Sequence, residues 1–167
     1  MTRYLLKAAA ALVAVAFVAN SAYAQQSANT TGDANAELVR ELSVAQDVAL
    51  NFGQISLPAS NAAGVVTISP AGAASGDFTP VGSVAAGAFT IDGPDGAVAS
   101  ITLPTGSITL NGPAGATMPV DTFASSDPSV TLTSGTGTFT VGGTLNVGPS
   151  QEVGSYTGTY NVQVDIP

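Results

Sequence analysis

Asp92 and Asp95, three positions apart in "IDGPDG", are the first place to look for chemistry in this sequence. Carboxylates suit two tasks. With neighbouring carbonyls they can hold a hard cation such as calcium. Placed on either side of a glycosidic bond, they can serve as acid and base in its hydrolysis. Neither task fits the surroundings. The full series of oxygen ligands of a helix–loop–helix calcium site is missing, and a tight turn at Gly93-Pro94-Asp95-Gly96 accounts for the same letters. Sugar-cleaving sites also use aromatic and arginine side chains, and this sequence has no Trp. "SGTGTF", from Ser134 to Phe139, shares only its composition with a phosphate-binding loop, since neither a Lys nor a helix follows it.

The remaining reagents are scarcer still. There is no Cys and no His in the 167 residues, and Lys and Arg together number three. Arg3 and Lys7 open the chain, Ala8 to Ala19 is an apolar run too short to span a bilayer, and Ala22-Tyr23-Ala24 fits a small-x-small cleavage pattern. Residues 1–24 therefore read as a secretory signal peptide, with no membrane insertion expected after its removal. Once they are removed, Arg40 is the one base left against eleven acids. Without imidazole, thiolate or amine, the usual triads, zinc sites and Schiff-base mechanisms have no components. We expect a non-catalytic chain with no cofactor and no metal. Its acidity argues against nucleic acid and anionic membranes as partners.

The chain reads as a scaffold of strands. Residues 25–41 form a polar, flexible lead-in, in which 34–41 fit a helical face or a strand equally well. From 42 to 167 short apolar alternations recur between Gly, Pro, Asp and Asn, with turn signals roughly every 8–12 residues. Leu42 and Val44, then Val48, Leu50 and Phe52, alternate around a bend or bulge at Ala45-Gln46-Asp47. Val66 with Ile68, Phe89 with Ile91, Ile101 with Leu103, and Ile108 with Leu110 follow. "PSVTLTSG" and "GTYNVQVDIP" close the series, the latter placing Val162, Val164 and Ile166 on one face. In "TVGGTLNV", Gly142-Gly143 has the composition of a tight hairpin turn, which would set Phe139 and Val141 across from Leu145 and Val147. The predicted fold class is all-β, an antiparallel sandwich without disulfides.

"ALNFGQI" (Ala49 to Ile55), "GVVTISPAG", "FTIDGPDGAVASITLP" and above all "VGGTLNV…GSYTGTYNVQV" resemble a secreted bacterial family known as domain of unknown function 4402. More distantly, the early "L-x-F-G" and the terminal Gly-x-Tyr strand resemble pilin subunits of chaperone–usher fimbriae, although the disulfide of typical pilins is absent. The resemblance implies an immunoglobulin-like, pilin-like sandwich lacking one strand, exported to the periplasm, the cell surface or beyond. It implies a fimbria- or pilus-like structural protein that adheres by self-assembly, with a periplasmic chaperone and usher as further partners.

In that reading residues 34–44 are a donated strand, with Leu38, Leu42 and Val44 as plugs, and Val162, Val164 and Ile166 line the receiving groove. Burying three such side chains would contribute roughly 5–9 kcal/mol before ordering costs. The alternative is a complete sandwich whose residues 34–44 pair with its own last strand. That would be a monomeric exported module binding a glycan or matrix component through its loops.

Overall fold

The computed structural model describes residues 27–60 and 62–167, so the expected signal peptide lies outside the described residues. The chain divides at Ala36 into two units. The described part of the first, residues 27–36, is exposed and carries no regular structure. The second, Glu37–Pro167, contains twelve strands among the described residues. In chain order they are β1 (Ser43–Val48), β2 (Asn51–Gln54), β3 (Gly64–Ile68), β4 (Ala74–Gly76), β5 (Val81–Ala85) and β6 (Gly87–Asp92). They continue as β7 (Val98–Thr102), β8 (Ile108–Asn111), β9 (Thr117–Ser125), β10 (Ser129–Thr131), β11 (Thr136–Val147) and β12 (Gln163–Asp165). Every pairing is antiparallel, and the sheets form a sandwich, as the alternating pattern predicts.

The main sheet is organised by β11. One of its edges serves two partners in succession, first β6 (Phe139 opposite Phe89, Val141 opposite Gly87) and then β3 (Gly143 opposite Ile68, Leu145 opposite Val66). Its other edge carries β9, and β8 lies beyond that. β1 extends the sheet beside β6 and β4 beside β3. Two smaller sheets oppose it: β10-β7-β12 and the β2-β5 pair.

The expected hairpin at Gly142-Gly143 is not there. Residues 136–147 run as one twelve-residue strand, and both glycines lie buried inside it without positive φ. Each is small because something crosses it. A Cβ on Gly142 would collide with the Ile68 carbonyl oxygen and come within 2.8 Å of Pro70 N, where the chain leaves β3 over the strand. A Cβ on Gly143 would stand 3.3 Å from the Phe123 ring, which fills that inward position instead. Glycine within a strand marks such close approaches. The two-residue turn lies just ahead, at Ser134 (φ 55°) and Gly135 (φ 80°), closed by reciprocal Thr133–Thr136 backbone bonds of 3.0 and 3.2 Å. Two successive positive φ angles are what a twisted hairpin needs.

Phe123 reaches Gly143 by way of a bulge. Thr122 and Phe123 of β9 oppose the single residue Gly143, with Thr122 at φ 50°. The extra residue re-aims the strand. β9 itself was not foreseen as a strand, because Pro119 stands between Met118 and Val120 and a proline inside a run argues against a ladder position. A second bulge falls between Gln46 and Val48, in the Ala45–Asp47 region where the sequence suggested one.

Inward residues of β11 feed two cores. Phe139 and Val141 join Phe89, Ile91, Ala99 and Leu132; Leu145 and Val147 join Phe52, Val66, Ile68, Met118 and Val120. Phe123 touches both. Phe89 and Phe139, cross-strand neighbours, stack at 5.1 Å. The Gly93–Gly96 turn forms as expected, with Ala97 N donating to the Pro94 carbonyl.

The close approach at Gly142 makes a testable distinction. Gly142→Ala should lower the free energy of unfolding by about 3 kcal/mol in urea titrations, since backbone must move. Gly96→Ala, with φ +75° but open space around it, should cost only about 1–2 kcal/mol of backbone strain. Equal losses would mean that Gly142 is not sterically required.

Candidate functional site

Asp92 Oδ1 accepts a hydrogen bond from Thr136 Oγ1 at 3.1 Å, and Asp95 is exposed in its turn. Among the described residues no group of three acidic, His or Cys side chains is placed to hold a metal. "SGTGTF" is the hairpin turn and the start of β11.

The feature that stands out is an open groove in the sandwich. After the bulge in β1, the chain at Ala49-Leu50 leaves the main sheet and continues as β2, whose partner is β5. At the other end of the sequence, residues 150–160 come back along the molecule without joining a ladder. Their one bridge to the main sheet is Asn111–Thr157, with bonds of 2.7 and 3.0 Å. Between Ala49–Ala59 and Ser150–Tyr160 runs a trench of ≈ 1380 Å³. Met118, Val120, Leu145 and Val147 lie at its base, flanked by Ile108, Leu110 and Phe123. This volume exceeds the 300–1,000 Å³ of ordinary small-molecule pockets. The β2 edge facing away from β5 has no partner strand among the described residues.

A second, smaller hollow of ≈ 370 Å³ lies beside Val44, Gln46, Phe89 and Val162. Ala49, Leu50, Gly158 and Tyr160 border both hollows. Tyr160 stacks on Phe123 at 5.1 Å and meets Phe89 edge-on at 6.2 Å. Its hydroxyl lies over Gly87, in space that a Cβ there would occupy. That oxygen is shut off from solvent, and the side chain of Gln46 is the one group near enough to act on it, short of good hydrogen-bond geometry. Burial pushes the phenol pKa above its ordinary value, and the side chain of Gln46 pulls it part of the way back.

The far wall is held by a second tyrosine. Tyr156 lies flat where Gly112 has no side chain. Its hydroxyl donates to the Glu152 carbonyl at 2.6 Å and accepts from Gln151 Nε2 at 2.7 Å.

Of the residues singled out from the sequence, five gather on one half of the domain. Leu42, Val162, Val164 and Ile166 pack against the Phe89–Ile91–Phe139 core, and Val44 pairs with Ile91 in β1. Val164 in β12 pairs with Ile101, so the last strand joins β7 while the first joins β6, and the two do not pair with each other. Val162 borders the smaller hollow. Leu38 stands apart, 94 % exposed, with Val39 beside it at 75 %.

Sequence reasoning missed the actual base. Met118 and Val120 were hidden by Pro119. Leu145 and Val147 read as ordinary core. The aromatic spacing Tyr156…Tyr160, with a glycine between them, was the one available signal of a special wall.

The poorly partnered hydroxyl predicts two measurable effects. Tyr160→Phe should stabilise the domain by about 1 kcal/mol, because a buried group short of good hydrogen-bond geometry is removed. The native chain should keep its full stability below about pH 10 and lose part of it as pH rises through the raised phenol pKa. The folded state then holds a proton that the unfolded chain has released. Denaturant titrations from pH 8 to 11 should show this slope in the native chain and a reduced slope in Tyr160→Phe.

Comparison with known proteins gives a family and no activity. No curated protein and no solved structure matches the chain. The profile of one family matches residues 42–165, from just before β1 to the end of β12. The chain therefore belongs to the family described as Domain of unknown function (DUF4402).

Proposed function

We infer that this protein is a structural subunit, exported and non-catalytic, that assembles by accepting an extended segment of a neighbouring copy into the trench. One observation carries the reading: an apolar base lies open between two segments whose facing backbone is unpaired. A missing strand leaves this combination, and an inserted one satisfies both halves of it. Its backbone can bond the exposed edge of β2 while alternate side chains enter the base. Each Leu- or Val-sized side chain so buried would contribute roughly 1.5–3 kcal/mol before ordering costs.

The donor that fits is shorter than the sequence suggested. Leu42 and Val44 are engaged in their own domain. Arg40 is also held there, its guanidinium against Gly135, where a Cβ would come within 2.6 Å of Nη1. The free arm thus ends at Val39. Between copies of a chain, one donating and one accepting surface per subunit produce an open filament unless rotation closes a ring. A fimbria- or pilus-like assembly is consistent with this, as is an immunoglobulin-like ancestry of the sandwich and export through a chaperone and usher.

Purified mature chain starting at Gln25 should form a ladder of oligomers on unboiled gels that collapses on boiling. A chain starting at Arg40 should keep its far-UV circular dichroism and remain a monomer. Unchanged oligomers in the shortened chain, or a strictly monomeric full chain over a wide concentration range, would contradict the reading.

A further inference from the structure

Resting on that assembly reading, we propose that the Arg40–Glu41 peptide bond is a processing site for an arginine-directed protease, and that the cut makes a subunit into a chain stop, able to accept a strand but with none to give. The sequence supplies the first observation. Beyond the expected signal peptide Arg40 is the one Arg or Lys in the chain, so residues 41–167 offer such an enzyme no other bond. Proteases of this class hold the basic side chain in a pocket that carries a carboxylate. Hydrolysis adds water across the Arg40 C–N bond and leaves a carboxylate on Arg40 and an amine on Glu41.

The structure supplies the second. Residues 27–41 are exposed and carry no regular structure, which is the kind of backbone that proteases nick. The Arg40 guanidinium lies against the Gly135 turn, but this is a surface contact and the residue stays exposed. Downstream the chain tightens in steps. Leu42 is half-buried, lying with Ile166 over Gly93, and Ser43 opens β1 opposite Asp92. All six residues of β1 are exposed, so its first rung opens at small cost. The bond is within reach of a protease in the free subunit.

The third observation is what the bond separates. Upstream lies the free arm, with Leu38 94 % exposed. Downstream lie all the described strands, together with the base and both walls of the trench. One cut therefore divides giving from receiving. A cut subunit takes the arm of an intact copy and offers nothing to the next, and a head-to-tail filament that gains one stops growing at that end. Assembly also guards the bond. Once the arm is seated in a neighbour, Val39 on one side and Leu42 on the other are both engaged. The short bridge between them cannot be drawn out as the extended segment a protease needs. Free subunits are cut and assembled ones are spared.

Trypsin is the probe. Purified mature chain starting at Gln25 should give one large product by intact-mass spectrometry, residues 41–167, with its far-UV circular dichroism unchanged. Arg40→Gln should stay whole. Isolated oligomers should be cut about tenfold more slowly than monomer, because their closed form must open first. Cut chain, freed of trypsin and mixed with intact chain, should shorten the ladder of oligomers in proportion to its share. Arg40→Gln taken through the same treatment should not. A native chain that resists while urea-unfolded chain is cut overturns the processing site. Oligomers cut as fast as monomer, or a ladder that cut chain leaves unchanged, overturn the chain stop while the assembly reading stands. A mature chain that forms no oligomers overturns the chain stop and the assembly reading together, and a single cut after Arg40 would then mark the processing site alone.

Discussion

The domain depends on one strand being able to serve two neighbours along a single edge. β11 hands that edge from β6 to β3 at Gly142, where the departing chain at Ser69-Pro70 crosses so closely that no side chain fits. Any other residue would push β3 away from the sheet, and with it Val66 and Ile68, which are almost wholly buried. The next residue, Gly143, leaves the inward space that Phe123 fills from across the bulge. Two adjacent absences of a side chain thus join two hydrophobic cores into one body. Without disulfides or a metal cluster in the described residues, burial and strand pairing hold it.

The open trench is the other side of the same economy of strands. β1 belongs to the main sheet, yet β2, its continuation, belongs to the opposing layer. The switch leaves residues 150–160 with no neighbour strand on that side. An exposed edge ordinarily invites uncontrolled pairing. Here the walls are irregular, Tyr156 pins one of them, and the chain's strongly acidic balance disfavours casual contact between copies. In the proposed assembly, a partner must offer the right alternation of side chains as well as an extended backbone.

Most strands were legible in the sequence because period-two alternation of Val, Ile and Phe survives wherever one face is buried. "GVVTI" and "GAFTI" became β3 and β6 with the expected residues inward. The Gly-Gly pair in "TVGGTLNV" misled, because glycine serves turns and close crossings alike and local letters do not tell which. Ser134-Gly135, the real turn, is a weaker signal than the pair it was passed over for. β9 stayed hidden since Pro119 and a bulge break its period. The terminal alternation was read correctly by face, yet only three residues of it join a ladder. The trench itself could not be read from the sequence: Leu145, Val147, Ile108 and Leu110 look like core residues, and whether a core is covered depends on strands distant in the chain.

The placement of β11 also shapes how the chain reaches this state. Its three partners β3, β6 and β9 all precede it in the chain. A chain emerging from its N-terminus must therefore carry most of its strands before the one that unites them exists. Leu145 finds Val66 across a long intervening loop of polypeptide, and closing such loops is entropically slow. Folding of this domain should accordingly be late and cooperative, with the earlier strands vulnerable to misassociation while they wait for a central member that is made after them.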